Sequence, residues 1–493
     1  MTAAPVPQAF TRPLSFYESY FALSSMTAWL TIRTEGVLDV PKVREAWALL
    51  RRTHPVLTAR IVPSPNESAP GFPGYDLVVP AEPDEPRFAV HEGEGPIIRP
   101  LAVGEEVAMV DLALSGQQTA LSVCLHHSIA DAKLAMLWCM QLLAFYGELR
   151  SGRTPAVEPV PVPKSPEELL SERGVSGSAS VSGRNPRPFP GELPKPEPGA
   201  KASFQQVRLT ESDTAGLRAA AKVMGQTVHT LVTGAIAVAT RRYLPVPEDK
   251  EVDLVIHTPV DIRERLVPPV QLWDGTNVIG NAYPVVAVRP DSDPVAVGAD
   301  ATRQVNEDLE AGVVQRSFVH LAEHFGEEQP EVPQVFVSNV GVVPKIPLLD
   351  EIGFTGMRGL LEFEWSPVNA LLEARGRTGG HSAVHSPKHG VYTYDGRLSV
   401  DVDIFFPPEQ ARAYAETLEA ILLELARSTS PTRTSAPDAN EPNASGNTPP
   451  AAPSPSAATG GAKTRNPGTT PSTAATAEAQ RLTRVEPQHR NER

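Results

Sequence analysis

The sequence predicts an α/β fold built in two halves. Runs of alternating apolar and polar residues, the mark of half-buried strands, are followed by stretches with helical apolar spacing in both halves of the chain. A Pro-, Ser- and Gly-rich stretch, 152–201, lies between them. A second polar stretch is built of Ser, Thr, Pro, Ala, Gly and Asn and runs to the last residue. It cannot bury enough apolar surface to offset its ordering entropy, so disorder is expected there. The expected organisation is an N-terminal lobe, 1–151; an interlobe linker, 152–201, partly mobile and with one or two helical turns at Ser165–Arg173; a C-terminal lobe, 202–427; and a disordered tail, 428–493.

Bulk properties narrow the function. Hydrophobic residues make up 41% of the 493, enough for a proper core, and the net charge of −14 argues against nucleic acid or an anionic membrane surface as main partners. The two cysteines, Cys124 and Cys139, fall in an expected buried strand and an expected buried helix. They read as packed thiols of a reducing compartment. The start, Met1-Thr-Ala-Ala-Pro5, lacks the basic and apolar segments of a signal peptide, and no run reaches the roughly 18 apolar residues of a spanning helix. A soluble, cytoplasmic monomer is expected.

In the first half, Met26–Arg33 alternates as a strand with Ala28, Leu30 and Ile32 on one face. Asp39 and Pro41 then start a helix that carries Val43, Ala46, Trp47 and Leu50. His54 precedes Pro55 and is biased out of the helix; a structural role is expected for it. Further strands are expected at Tyr75–Val79, Glu106–Leu112 and Ala120–His127.

The last of these ends in the most informative stretch, Leu121-Ser-Val-Cys-Leu-His-His-Ser-Ile-Ala-Asp-Ala132. Successive strand side chains point to opposite faces, so Val123, Leu125 and His127 share one face and Ser122, Cys124 and His126 the other. Only one histidine can face a given cleft; its partner needs local hydrogen bonds or packing. Asp131 stands where a helix N-cap is favoured, before an apolar helix reaching Leu149. A neutral imidazole with a pKa near ~6.5 is suited to accept a proton at physiological pH. A His-His pair at a strand end is often only structural.

The second half opens with a strand, Phe204–Leu209, and a helix from Ser212 to about Met224. A longer helix follows Thr227-Val-His-Thr-Leu231, and a strand at Leu254–His257 leads into Thr258-Pro-Val-Asp-Ile-Arg-Glu-Arg-Leu266. Arg263 pairs either with Asp261, two residues away, or with Asp131 across the junction, where a buried carboxylate needs such a partner. A strand at Gln334–Val337 ends in Ser338-Asn339-Val340-Gly341. His381, His385 and His389 have a spacing that could present three imidazoles to zinc, but Pro387 breaks any such helix, and no metal site is assigned. A hairpin follows, Val391–Tyr394 and Arg397–Phe405 about Asp395-Gly396, with one face buried and one wet. The closing helix is Pro408–Leu425.

The pattern His126-His127-x-x-x-Asp131 resembles the HHxxxDG signature of the condensation-domain and chloramphenicol acetyltransferase-like acyltransferases. Leu38-Asp39 with His54-Pro-Val-Leu57, Thr227-Val-His229, Pro259-Val-Asp-x-Arg263 with Asn277-x-x-Gly280, and Ser338-Asn339-x-Gly341 resemble further family segments, in the family's order. Together they look closest to polyketide-associated acyltransferases of the phthiocerol/phthiodiolone dimycocerosyl transferase type. The resemblance covers about residues 10–427. Ala132 departs from the family's Gly, which matters only if that position needs a positive φ. The resemblance implies two α/β lobes forming a V, with a tunnel at their junction. It implies His127 as general base, Asp131 holding the loop, and Ser338 and Asn339 near the oxyanion. His126 and Arg263 would be structural at the site. The donor would be an acyl thioester on the phosphopantetheine of an acyl carrier protein, or an acyl-CoA. The acceptor would be a small-molecule hydroxyl or amine, with no metal and no bound cofactor. Two alternatives remain open: the same cleft used for amide formation, dehydration or cyclisation, and a binding module that has lost catalysis.

Overall fold

The computed structural model describes residues 8–177, 184–193, 202–325, 332–346, 352–376 and 387–428. The expected tail beyond 428, and His381 and His385 of the histidine triplet, lie outside them.

The first half contains β1 (Gln8–Pro13), α1 (Phe16–Leu23), β2 (Thr27–Glu35), α2 (Val40–Thr53), β3 (Arg60–Pro63), β4 (Tyr75–Pro80), β5 (Phe88–Glu92), β6 (Ala108–Ser115), β7 (Gln118–His126) and α3 (Ala132–Arg150). The linker contributes α4 (Pro166–Ser171). The second half continues with β8 (Ser203–Arg208), α5 (Glu211–Val223), α6 (Val228–Tyr243), β9 (Val252–Asp261), β10 (Ile279–Ala282), β11 (Val285–Val288), α7 (Pro294–Glu310) and α8 (Ser317–His324). It closes with β12 (Gln334–Val342), β13 (Gly353–Glu362), α9 (Ser366–Ala374), β14 (Lys388–Tyr394), β15 (Arg397–Ile404) and α10 (Pro408–Arg427).

Two sheets organise these elements. The first has the order β13-β2-β7-β6-β5, the second β10-β9-β12-β14-β15-β8 with β11 also on β9, and a small third sheet is β1-β4-β3. One core holds Trp47 and Leu50 of α2 and Trp138 and Leu142 of α3 against Val123 and Leu125 of β7. The other holds α5, α6 and α10 against Leu254, Ile256, Val335, Val337 and Val400. Cys124 and Cys139 are buried free thiols. The junction has its own apolar cluster, with Tyr17 and Phe21 of α1, Leu169 and Leu170 of α4, Ile262, Val278, and Phe318 of α8. Among the described residues no single helix is long and apolar enough to cross a membrane; α5 and α6 pass only as a pair, bent by 102°.

Strand β13 departs from the simple division at 202. It pairs antiparallel with β2, from Gly353 opposite Glu35 to Glu362 opposite Thr27, and so extends the first sheet with chain from the second half. Its backbone lies over the second sheet. Gly359 N–H donates to Asp401 (3.0 Å), and the Tyr392 hydroxyl donates to the Met357 carbonyl (2.6 Å). This corrects the reading of β15 as half wet. Ser399 and Asp401 are each only 4% exposed, because β13 covers the face opposite the core. Burial pushes the Asp401 carboxyl up to about 6.

Other boundaries follow local chemistry. Thr210, rather than Ser212, caps α5: its side chain accepts the Asp213 N–H, and Glu211 and Asp213 complement the first turn. The hairpin turn has φ 47° at Asp395 and 75° at Gly396, both in the left-handed region that a type I′ turn demands. The described part of the linker is anchored. Val160 N–H donates to Thr53 O and Lys164 N–H to Asp274 O, while Arg184 pairs with Asp308 at 2.8 Å.

Helices α6 and α7 touch through glycine. A Cβ on Gly234 would lie 1.8 Å from the Pro294 carbonyl oxygen, and one on Gly298 would lie 2.0 Å from that of Thr230. Backbone cannot yield as a side chain tip can. Gly234→Ala is therefore expected to cost about 1–3 kcal/mol through overpacking, read as a lower midpoint in urea unfolding.

Candidate functional site

Three segments meet at the end of β7. The strand stops at His126, opposite Thr27, and His127 opens the turn, with its N–H donated to Met26 O at 2.7 Å. The turn, rather than strand alternation, sets the direction of His127. Asp131 then caps α3, its Oδ1 accepting the Leu134 N–H at 3.0 Å. Ala132 is the first residue of that helix and lies outside the positive-φ positions, so no glycine is required there.

The His127 ring is held on two sides. Phe21 of α1 stacks on it, with ring centres 4.4 Å apart and planes 24° apart. Nδ1 lies 3.0 Å from Asn277 Oδ1, while Asn277 Nδ2 donates to the His127 carbonyl at 2.6 Å. The second bond turns the amide so that its oxygen faces the ring. Nδ1 must then carry the proton, which leaves the Nε2 lone pair free. Nε2 has no hydrogen-bond partner among the described residues. Burial lowers the His127 pKa; its own carbonyl, Asp131 and Asn277 oppose this without reversing it. The imidazole is therefore neutral at pH 7, and its Nε2 can accept a proton.

His126 has the opposite character. It is 1% exposed, and Nδ1 accepts the Ser128 N–H at 3.2 Å. Burial, with a smaller effect of His127, pushes its pKa down to about 3.

Asp131 reaches the second half of the chain. Its Oδ2 accepts from Arg263 Nη2 at 2.5 Å and from Val278 N–H at 3.3 Å, and the two side chains are 2% and 4% exposed. Arg263 bonds Asp261 as well, through its backbone N–H (3.0 Å) and Nη1 (3.3 Å). Asp261 in turn holds Lys133 at 2.7 Å. Four charges thus alternate in sign from β9 to the first turn of α3. Burial raises the Asp261 carboxyl, but Arg263 and Lys133 outweigh it and bring it below the usual range.

Helix α1 completes the site. Ser15 and Glu18 form a capping box, and Arg12 grips Glu18 bidentately at 2.7 Å on each oxygen. Glu18 also receives Thr276 Oγ1 at 2.7 Å, and its carbonyl receives Ser128 Oγ at 2.7 Å. These bonds fix α1 against the histidine turn and the segment that carries Asn277.

The expected oxyanion pair is divided. Asn339 lies on the α6 side of β12, its Nδ2 3.2 Å from His229 Nδ1 and its Oδ1 accepting the Gly341 N–H at 2.8 Å. Ser338, one residue earlier, points to the opposite side, with Phe336. No bond joins either residue to His127 among the described residues. His54 is 5% exposed and bonded to Gln141 at 2.7 Å, as a core histidine. His389 is a strand residue bonded to Phe336 O and the Tyr414 hydroxyl, which removes it from any helical zinc triplet. Phe21 and Asn277 were not recognised as site residues. Asn277 stands in the Asn277-x-x-Gly280 segment, a visible signal without a stated role; Phe21 has no signal of its own.

Comparison with known proteins bears on the fold and the family. Residues 198–403 match the model of the phthiocerol/phthiodiolone dimycocerosyl transferase C-terminus. The phthiocerol/phthiodiolone dimycocerosyl transferase of Mycobacterium ulcerans is 26% identical over 363 residues, 70% of this chain and 84% of that protein. That of Mycobacterium leprae is 27% identical over 365 residues, covering 71% and 85%. Among solved structures, polyketide synthase associated protein 5 of Mycobacterium tuberculosis superposes with a TM-score of 0.67 at 21% identity, over 87% of this chain and all of that one. The first condensation domain of the calcium-dependent antibiotic synthetase gives 0.57 at 17%, over 85% and 97%. The matched model, the relatives and the structural neighbours agree with the condensation-domain and chloramphenicol acetyltransferase-like acyltransferases expected from the sequence. The two-lobed α/β fold expected from the sequence is the fold of this superfamily.

The Asp131–Arg263 contact crosses 132 positions of sequence. Arg263→Gln is expected to cost roughly 3–5 kcal/mol, because it leaves the buried Asp131 carboxylate without a cation, and Asp131→Asn somewhat less, because Arg263 keeps Asp261. The double variant should cost less than their sum, with a coupling of about 0.5–3 kcal/mol. Denaturant unfolding of the four proteins measures it, and additive costs would refute the pairing.

Proposed function

We propose that this acyltransferase moves an acyl group from a thioester, on carrier-protein phosphopantetheine or coenzyme A, to a hydroxyl or amine of a polyketide-type or other secondary metabolite. The observation that carries the reading is the neutral His127 ring, whose Nδ1 is occupied by Asn277 and whose Nε2 is free. The relatives' name, dimycocerosyl transferase, supports transfer of an acyl group. The structural likeness to a polyketide synthase associated protein and to a condensation domain supports a carrier-bound donor.

In this mechanism Nε2 takes the proton of the acceptor O–H or N–H as that atom attacks the thioester carbonyl. The tetrahedral intermediate collapses with cleavage of the C–S bond. Nε2–H returns the proton to the departing sulfur, giving ester or amide and free thiol. Ser338 is the side chain we assign to the oxyanion, together with backbone N–H groups. Asn339, turned toward His229, is left out of that role. His126 and Arg263 act through structure.

The test is transfer from octanoyl-CoA and from an octanoyl carrier protein to a panel of alcohols and amines, with products read by mass. A gain of the acyl mass supports the reading. Loss of water or an unchanged acceptor favours another use of the cleft. His127→Ala is expected to lower the rate by about 10²–10⁴-fold with little change in unfolding, the range for a lost general base. His126→Ala should act mainly on stability.

The pH dependence has a defined sign. The His127 pKa lies below 6.5, so the unprotonated base is already dominant at neutral pH. The transfer rate should be flat from about pH 7 upward. It should fall as pH drops through the lowered value, where Nε2 becomes protonated. A rate still rising steeply above pH 7 would contradict the assigned environment.

A further inference from the structure

A second histidine is held in the same manner as His127, and the proposed reaction does not use it. His257 lies on β9, where Leu254 and Ile256 face the helix-covered core. The side chain of His257 falls on the other side of the strand. There it is in register with Phe336 of β12, two residues before Ser338. Its ring lies 4.7 Å from that of Tyr283, tilted by 31°, and 4.9 Å from that of Phe336, edge to face. The residue is partly exposed.

Asn281 holds its ring. Asn281 Nδ2 donates to the Tyr17 hydroxyl at 3.3 Å, so Oδ1 faces His257 Nε2, 2.8 Å away. With the amide in this orientation Nε2 is the protonated nitrogen, and Nδ1 keeps its lone pair. Nδ1 has no hydrogen-bond partner among the described residues. Burial lowers the pKa, so the ring is a neutral acceptor at pH 7. Asn277 and Asn281 thus each hold one histidine, four residues apart in an extended segment. Four residues span at most about 14 Å. A chain of contacts joins the two rings: Phe21 stacks on His127, Tyr17 packs edge-on to Phe21 at 4.8 Å, and the Tyr17 hydroxyl bonds Asn281.

We propose that His257 is a substrate-binding residue, whose Nδ1 accepts a hydrogen bond from an O–H or N–H group lying along a substrate chain at some distance from the reacting centre. The flanking Tyr283 and Phe336 rings suit a chain that is otherwise apolar. Two substrate classes carry such a donor: an acceptor with a second hydroxyl, and the amide-bearing thiol arm of the donor. This inference rests on the acyl-transfer reading.

The test compares wild type with His257→Phe, which keeps the ring packing and removes the acceptor. The acceptor arm uses α,ω-alkanediols of four to twelve carbons against n-alkanols of equal length. The donor arm uses S-octanoyl-N-acetylcysteamine against an octanoyl butyl thioester, which lacks the amide. In wild type, KM should favour the molecule with the extra donor group by about 2- to 10-fold in one arm, the worth of one hydrogen bond. In His257→Phe that ratio should fall to about 1. The arm that responds identifies the source. Titration calorimetry of the same diols, alkanols and thioesters on the full chain reads the same ratio as Kd. If no transfer occurs but the Kd preference is lost in His257→Phe, the site stands and the acyl-transfer reading falls. Unchanged ratios in both arms, or a loss equal for every substrate, would overturn the proposal.

Discussion

The Asp131 carboxylate connects what this structure must keep together. One oxygen accepts the Leu134 N–H and begins α3; the other accepts Arg263 and Val278 N–H from the second half. A carboxylate only 2% exposed needs such partners to offset its loss of water. The same side chain therefore ends the turn that carries His127, starts the helix that fills the first core, and fixes the distance to the segment that carries Asn277. Few residues could substitute. Asn would still cap the helix, but it would leave the Arg263 guanidinium with Asp261 as its one counter-charge among the described residues.

Glu18 performs a matching task one layer away. It closes the capping box of α1, takes both arms of Arg12, and binds Thr276 next to Asn277. Phe21 lies three residues further along that helix, about one turn. Its stacking on His127 is thus positioned by a charge pair rather than by apolar contact alone. Both anchors end on neighbouring residues of one segment, 276–278. A displacement there would reach the imidazole from two directions at once.

Much of this was legible in the sequence, and the limits have physical causes. Strand alternation and helix spacing placed β2, β4, β7, α3, β15 and α10, because each carries apolar residues at regular spacing. The Asp131–Arg263 contact was legible because a buried carboxylate beside an apolar helix needs a cation. Helix α1 carried a capping-box signal, Ser15 to Glu18, but its place against His127 depends on a carboxylate buried among distant partners. Strand β13 was hidden for another reason: its ladder partner, β2, is over three hundred residues earlier, and its own three glycines weaken any alternation. That contact also explains why Asp401 is dry although the pattern of β15 reads as half wet. Ser338 and Asn339 look like one site as adjacent residues, yet a strand sends them to opposite sides.

Proton chemistry and charge pairing are kept apart at this junction. The ring of His127 contacts neutral groups: an amide at Nδ1 and a phenyl face. A carboxylate at Nδ1 would stabilise imidazolium and raise the pKa, which would leave less free base at neutral pH. Asn277 sets the same tautomer without that penalty. Asp131, the nearby carboxylate, does favour the protonated ring, but it is already paired with Arg263, and the alternation continues through Asp261 to Lys133. Neutralisation within that chain of charges lets a structural carboxylate stand close to a base while burial still keeps the base unprotonated.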